Sequence, residues 1–298
     1  MILGIAIGLV LLGPLALALA GVVSSRRHGA TAATAAPWNW TLVAVSALLY
    51  TLAFNLTFFI QELFLVLPKA LTPGLHPTLY HNNHRWLGEH ALASLFQGTG
   101  ALATALVGLA CAIVARRVRP HSPSRRLFAV WMAYCGLLMA LPQVAIGALS
   151  SASDLGMAMT YLHWGTSAKT LAALLALGAI PLVALWLLRP ALEIAERADD
   201  IATPRARARF VLQAVVVPML IGTALVIPFR VPREMIEVAL LPLIVGLPGV
   251  LWMLAGAWRV RDARAIGQPM VSFVLPLLAA IALLLVFQLL LRPGIAFY

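Results

Sequence analysis

Long apolar runs alternate with arginine clusters along this chain, and that alternation limits the possible folds more than any motif does. Eight runs approach the roughly 20 apolar residues that a helix needs to cross about 30 Å of hydrocarbon. They are Met1 to Val23, Trp40 to Phe64, Ala91 to Val114, Leu127 to Leu149, Thr170 to Leu188, Phe210 to Phe229, Val238 to Trp258 and Val271 to Leu291. Inside a bilayer each backbone amide must be satisfied within its own segment, so runs of this kind are helices and not strands. The expected fold is all-α, one polytopic helical membrane bundle over residues 1–298.

The arginines set the topology. Clusters at Arg26/Arg27, Arg116 to Arg126, Arg189 to Arg209 and Arg259 to Arg264 fall in every second connection. Loops rich in Lys and Arg stay on the cytoplasmic side. The loops 24–37, 115–126, 189–209 and 259–269 carry 15 of the 21 basic residues and are therefore expected in the cytoplasm. Lys69, Arg85, Lys169, Arg230, Arg233 and Arg292 are left for the other side, with both termini outside. A bacterial-type inner membrane is the expected location. No basic residue precedes the first run and two arginines follow it, the reverse of a secretory signal, so it is expected to be retained.

Composition excludes the alternatives. With 62% hydrophobic and 10% charged residues and a mean hydropathy of +0.96, the chain is not a soluble globular domain. Its net charge of +11 follows from the cytoplasmic loops, helped by anionic headgroups, and does not imply nucleic acid. Cys111 and Cys135 lie inside spans without a CxxC spacing and read as small apolar fillers. Between Arg189 and Arg209, Glu193 and Arg197 at i,i+4 suggest a short surface helix. Gly100, Thr104 and Gly108 form a small-residue stripe against which another helix could pack closely.

Any chemistry is expected outside. Loop 67–91 holds four of the seven histidines, His76, His81, His84 and His90, with Lys69, Asn82, Asn83, Arg85, Trp86 and Glu89. If that stretch were helical, His81 and His84 would share a face, and imidazoles at i,i+3 with a nearby carboxylate begin a metal site. The next outer loop adds Asp154, Met157, Met159 and His163. The candidate ligands are thus His81, His84, His90, Glu62, Asp154 and His163, with Met157 and Met159 as thioethers. Thioether plus imidazole suits copper, imidazole plus carboxylate suits zinc or iron, and histidines alone could bind haem. Glu62, at the outer end of the second span, is a costly intramembrane carboxylate that needs a partner, and Lys69, Arg85 and Lys169 are available.

Gln61-Glu62-Leu63 on an apolar span, Gly98-Thr99-Gly100 and Ser153-Asp154-Leu155-Gly156 resemble the ordered landmarks of site-2-protease-type membrane metalloproteases. That resemblance implies a general base at Glu62 and a metal ligand at Asp154. Gln61 and Leu65 stand where the family's His-Glu-x-x-His motif has its histidines, and the charge pattern puts Glu62 outside. Three functions follow as expectations. The first is a non-catalytic accessory or assembly subunit of a larger membrane complex, with a metal-handling outer surface. The others are a membrane metalloenzyme, including a degenerate site-2-protease-like hydrolase, and a small-solute or metal transporter. The expected partners are the lipid bilayer and other membrane subunits, not nucleic acid.

Overall fold

A computed structural model describes residues 2–27, 38–117, 122–233, 235–270 and 272–298. Within them, eight helices are long and apolar enough to cross a membrane. They are α1 (Gly4–Ser24), α2 (Trp40–Ala70), α3 (Ala93–Arg117), α4 (Pro123–Leu149), α5 (Thr166–Leu192), α6 (Pro204–Arg230), α7 (Val238–Arg259) and α8 (Val274–Leu291). Each sequence-read span recurs, several of them extended by one or more turns. The first basic loop lies mostly outside the described residues, as does Arg119 in the second.

The helix α2 is the centre of the bundle, and α1 and α8 lie at its edge. Its Tyr50 and Phe54 are fully buried, and Tyr50 meets Trp131 of α4 edge-on at 4.9 Å. A polar chain crosses the same layer. Trp131 Nε1 donates to Ser46 Oγ at 3.0 Å, and Ser46 Oγ donates to the Ala214 carbonyl at 2.6 Å, tying α4 to α2 to α6. In hydrocarbon such bonds and close van der Waals packing, not exclusion of water, hold helices together. The small-residue stripe serves that end. Gly100 packs on Gln61 and Leu65 of α2, and Gly108 packs on Gly136 and Leu137 of α4. A Cβ on Gly136 would stand 2.6 Å from the Thr104 carbonyl oxygen and 2.7 Å from the Gly108 Cα.

One end of the bundle gathers the arginines. Arg126 pairs with Glu193, which also takes Arg189 Nε at 2.9 Å. Arg207 is buried and donates to the carbonyls of Ile201, Ala202, Ala257 and Trp258, so a guanidinium caps the last turn of α7. The Ile266 amide donates to the Glu193 and Ala195 carbonyls, closing the final basic loop onto the third. The expected Glu193–Arg197 surface helix is not present. Arg197 pairs instead with Asp200 across a single 3-10 turn, Ala198–Asp200, because Glu193 is already held by two arginines.

The opposite end carries the one β-sheet among the described residues. His76–Leu79 (β1) and His84–Leu87 (β2) form an antiparallel hairpin, and Ile295–Ala296 (β3) adds to its free edge in the order β2-β1-β3. The Tyr80 amide donates to the Asn83 carbonyl at 2.8 Å, leaving His81 and Asn82 at the tip. Gly88 closes the base at φ 92, against the Gly74 carbonyl, where a side chain would be both strained and blocked. Stretch 76–87 is therefore strand and turn, not the helix that would have put His81 and His84 on one face. A strand alternates its side chains with a period of two and a turn redirects them, so the two imidazoles face different neighbours. Because β3 pairs with β1, the C-terminal segment lies at the hairpin end, as an even number of intervening spans requires.

Candidate functional site

Where the hairpin meets the bundle, four buried polar side chains converge. On α2, Glu62 and Lys69 are seven residues apart, two helical turns, and so share a face. His84 comes from β2. Gln97 comes from α3, where the helical hydrogen bonding breaks into a turn at Gln97-Gly98. Their exposures are 6% for Glu62, 0% for Lys69, 9% for His84 and 3% for Gln97. Ionisable groups this deep are rare unless paired.

The pairing is explicit. His84 Nδ1 lies 2.8 Å from Glu62 Oε2, and His84 Nε2 lies 3.2 Å from Gln97 Oε1. Lys69 Nζ donates to the Leu65 carbonyl at 2.7 Å and to the same Gln97 oxygen at 3.1 Å. Its third hydrogen has the face of Trp86, whose centroid is 4.7 Å away. An ammonium can only donate, so the amide of Gln97 must present its oxygen here. The His84 Nε2 meeting that oxygen therefore carries its hydrogen, and Nδ1 shares a proton with Glu62. Trp86 also stacks on the His84 ring, with centroids 5.8 Å apart and planes 12° from parallel. Beside the network, Gln143 of α4 donates to Gln61 Oε1 of α2 at 2.9 Å.

Asp154 opens the short helix Asp154–Tyr161, capped by Ser153 Oγ accepting from the Gly156 amide. It is half-buried, and burial pushes its carboxyl up from the ordinary 3.8. His84 pulls it back down, Glu62 pushes it up and Lys69 pulls it down, which places Asp154 within electrostatic reach of all three.

The hairpin tip performs a second task. The helix α6 ends at Val231-Pro232, leaving carbonyls without intrahelical donors. His81 Nε2 donates to the Val231 carbonyl at 3.2 Å and Asn82 Nδ2 to the Arg230 carbonyl at 2.8 Å. Gln288 of α8 adds bonds to the Pro228 and Val231 carbonyls, and Arg233 donates back to the Asn82 carbonyl at 2.8 Å. His81 Nδ1 is buried with no hydrogen-bond partner. Burial lowers the His81 pKa from the ordinary 6.5, the Val231 bond raises it and the charges of Arg292 and Arg230 lower it again.

The sequence-read ligands thus separate. Glu62 and His84 pair directly, Asp154 lies within their electrostatic reach, and His81 faces the end of α6. His90 is exposed and accepts from the Leu92 amide through Nδ1. His163 is exposed at φ 54, Met157 is half-buried, and Met159 is buried in an apolar wall. Among the described residues, no three His, Cys, Asp or Glu side chains are grouped to hold a metal ion. Of the three basic residues available to Glu62, Lys69 joins its network, yet the direct partner is His84. Gln97 and Trp86 complete it; the sequence reads Gln97 as a polar side chain bridging helices and Trp86 as an outer-interface residue, not as partners of Glu62. Their signal was indirect: a lysine two turns beyond Glu62 on an apolar helix demands acceptors within reach.

Both ring nitrogens of His84 and all three hydrogens of Lys69 are engaged, so neither is a free base. Comparison with protein families, with characterised proteins and with solved structures gave no match.

Proposed function

We propose that this chain is a multi-pass protein of a bacterial-type inner membrane and a non-catalytic subunit or assembly factor of a larger membrane complex. The basic loops face the cytoplasm in this reading, and the hairpin end faces away from it. The observation that carries the proposal is the Glu62–His84–Gln97–Lys69 network. It pins a hairpin, a helix break and the last turns of α2 into one cap, with both ring nitrogens of His84 and all three hydrogens of Lys69 committed to holding it. The cap also displays apolar side chains beyond the spans: Leu71, Leu87 and Tyr298 are 85%, 70% and 71% exposed. Such residues clustered at one end mark a docking surface.

The test is native electrophoresis of the protein solubilised gently from its own membrane. The proposal expects a complex larger than the single chain, and a Leu71→Ser/Leu87→Ser variant that inserts normally but migrates alone. Migration of the wild-type chain as a monomer would remove the subunit reading.

A second reading is favoured by one observation: Glu62 and Asp154, the two residues carried over by the resemblance to membrane hydrolases, lie in mutual electrostatic reach. Glu62 and Asp154 would then be the two carboxyl groups of the site. A membrane polypeptide that accumulates uncleaved in an Asp154→Asn strain supports this reading, and unchanged membrane proteomes remove it.

A further inference from the structure

A cavity of about 330 Å³ opens on the flank of the bundle, next to the polar network. Leu95 and Leu102 of α3, Val144 of α4, Leu155 and Met159 of the short helix and Ala172 of α5 line it. Its mouth is lateral, since Leu102, Leu162 and Trp164 on its edge are 59%, 50% and 42% exposed. Three of its walls are ends of spanning helices, so the mouth meets hydrocarbon near the interface and not open water.

The rim is charged. Lys169 lies one turn before Ala172 on α5, and its Nζ is 3.3 Å from Thr160 Oγ1 of the short helix. The exposed His163 sits between the edge residues Leu162 and Trp164. We propose that this cavity holds one acyl chain of a membrane lipid with an anionic headgroup, and that the headgroup is met by Lys169.

Size and energetics agree on that occupant. The volume is at the bottom of the usual ligand-pocket range of about 300 to 1,000 Å³, enough for a single chain and not for a whole lipid. A carbon-lined cavity stays dry, so water is a poor occupant. A chain that enters from the bilayer moves from one hydrocarbon setting to another and gains only packing. Selectivity therefore rests on the headgroup and its attraction to the Lys169 ammonium, with Trp164 at the interface.

The experiment is native mass spectrometry of the delipidated full-length protein with added phosphatidylglycerol or phosphatidylcholine. Wild type should retain one phosphatidylglycerol in preference to phosphatidylcholine. Lys169→Ala should lower phosphatidylglycerol retention about fivefold and leave phosphatidylcholine unchanged. Ala172→Trp, which fills the cavity from α5, should abolish both. Equal retention of the two lipids by wild type, or unchanged phosphatidylglycerol retention in Lys169→Ala, would overturn the proposal. Should Ala172→Trp fail to accumulate, the Lys169 comparison decides by itself.

Discussion

Glu62→Leu is the sharpest perturbation of the cap. It removes the carboxylate 2.8 Å from His84 Nδ1 and one of the two carboxyl groups acting on the buried Lys69, Asp154 being the other. Breaking a buried pair in this way costs about 3–5 kcal/mol, because the imidazole is left without its partner. Glu62→Gln keeps an oxygen for the imidazole and loses only the charge-assisted part of the bond, about 1–1.5 kcal/mol. His84→Leu should cost about as much as Glu62→Leu. The double variant should cost less than the two added together, by about 0.5–3 kcal/mol, since the second substitution removes a group already orphaned. Denaturant unfolding in detergent micelles, followed by the fluorescence of Trp86 and its neighbours, measures all four. Equal costs below about 1 kcal/mol for the Leu and Gln variants, with strict additivity in the double, would refute the network.

The pH dependence has two opposed parts. Asp154 binds its proton more tightly folded than unfolded, so its contribution to stability falls as pH rises above its ordinary 3.8. Asp154→Asn should therefore match or exceed wild type at neutral pH, and the advantage should vanish at more acidic pH. His81 is the reverse: its folded pKa is lowered, so its contribution is complete above the ordinary 6.5 and is lost as pH falls. Hydrogen-exchange protection factors at residues 76–87, taken relative to intrinsic rates, should fall below that pH, and much less so in His81→Asn. Gly136→Val should separate α3 from α4 at a cost of at least about 1–3 kcal/mol, because the obstacles are the Thr104 and Gly108 backbone. Gly178→Ala, with nothing within 4 Å, is the control and should be neutral or stabilising in the same unfolding assay.

The spans were legible because hydropathy over 20 residues is a strong signal and the basic loops have a fixed order. Gly100, Thr104 and Gly108 were legible for a similar reason, since a helical stripe of small residues has one geometric meaning. The hairpin was not. Its strands are four residues each, too short for a period of two to stand out, and the spacing of His81 and His84 fits a helical face equally well. Lys69 was visible as a partner for Glu62, but the bond to His84 depends on β2 folding back over α2, a long-range event that no local pattern encodes. Gln97 acquires its role from a helix break that only packing reveals. Asp154 and Glu62 were singled out separately, and they come within electrostatic reach because the short helix packs back against α3 and α4.

The central claim is the polarity of the bundle, with the hairpin cap on the non-cytoplasmic face and the arginine end inside. Its most direct test is cysteine accessibility in intact spheroplasts, in a background lacking Cys111 and Cys135. Leu87→Cys on β2 should react with a membrane-impermeant maleimide in intact spheroplasts, and Glu196→Cys at the arginine end only after permeabilisation. The opposite pattern, or labelling of both positions in intact spheroplasts, would contradict the account.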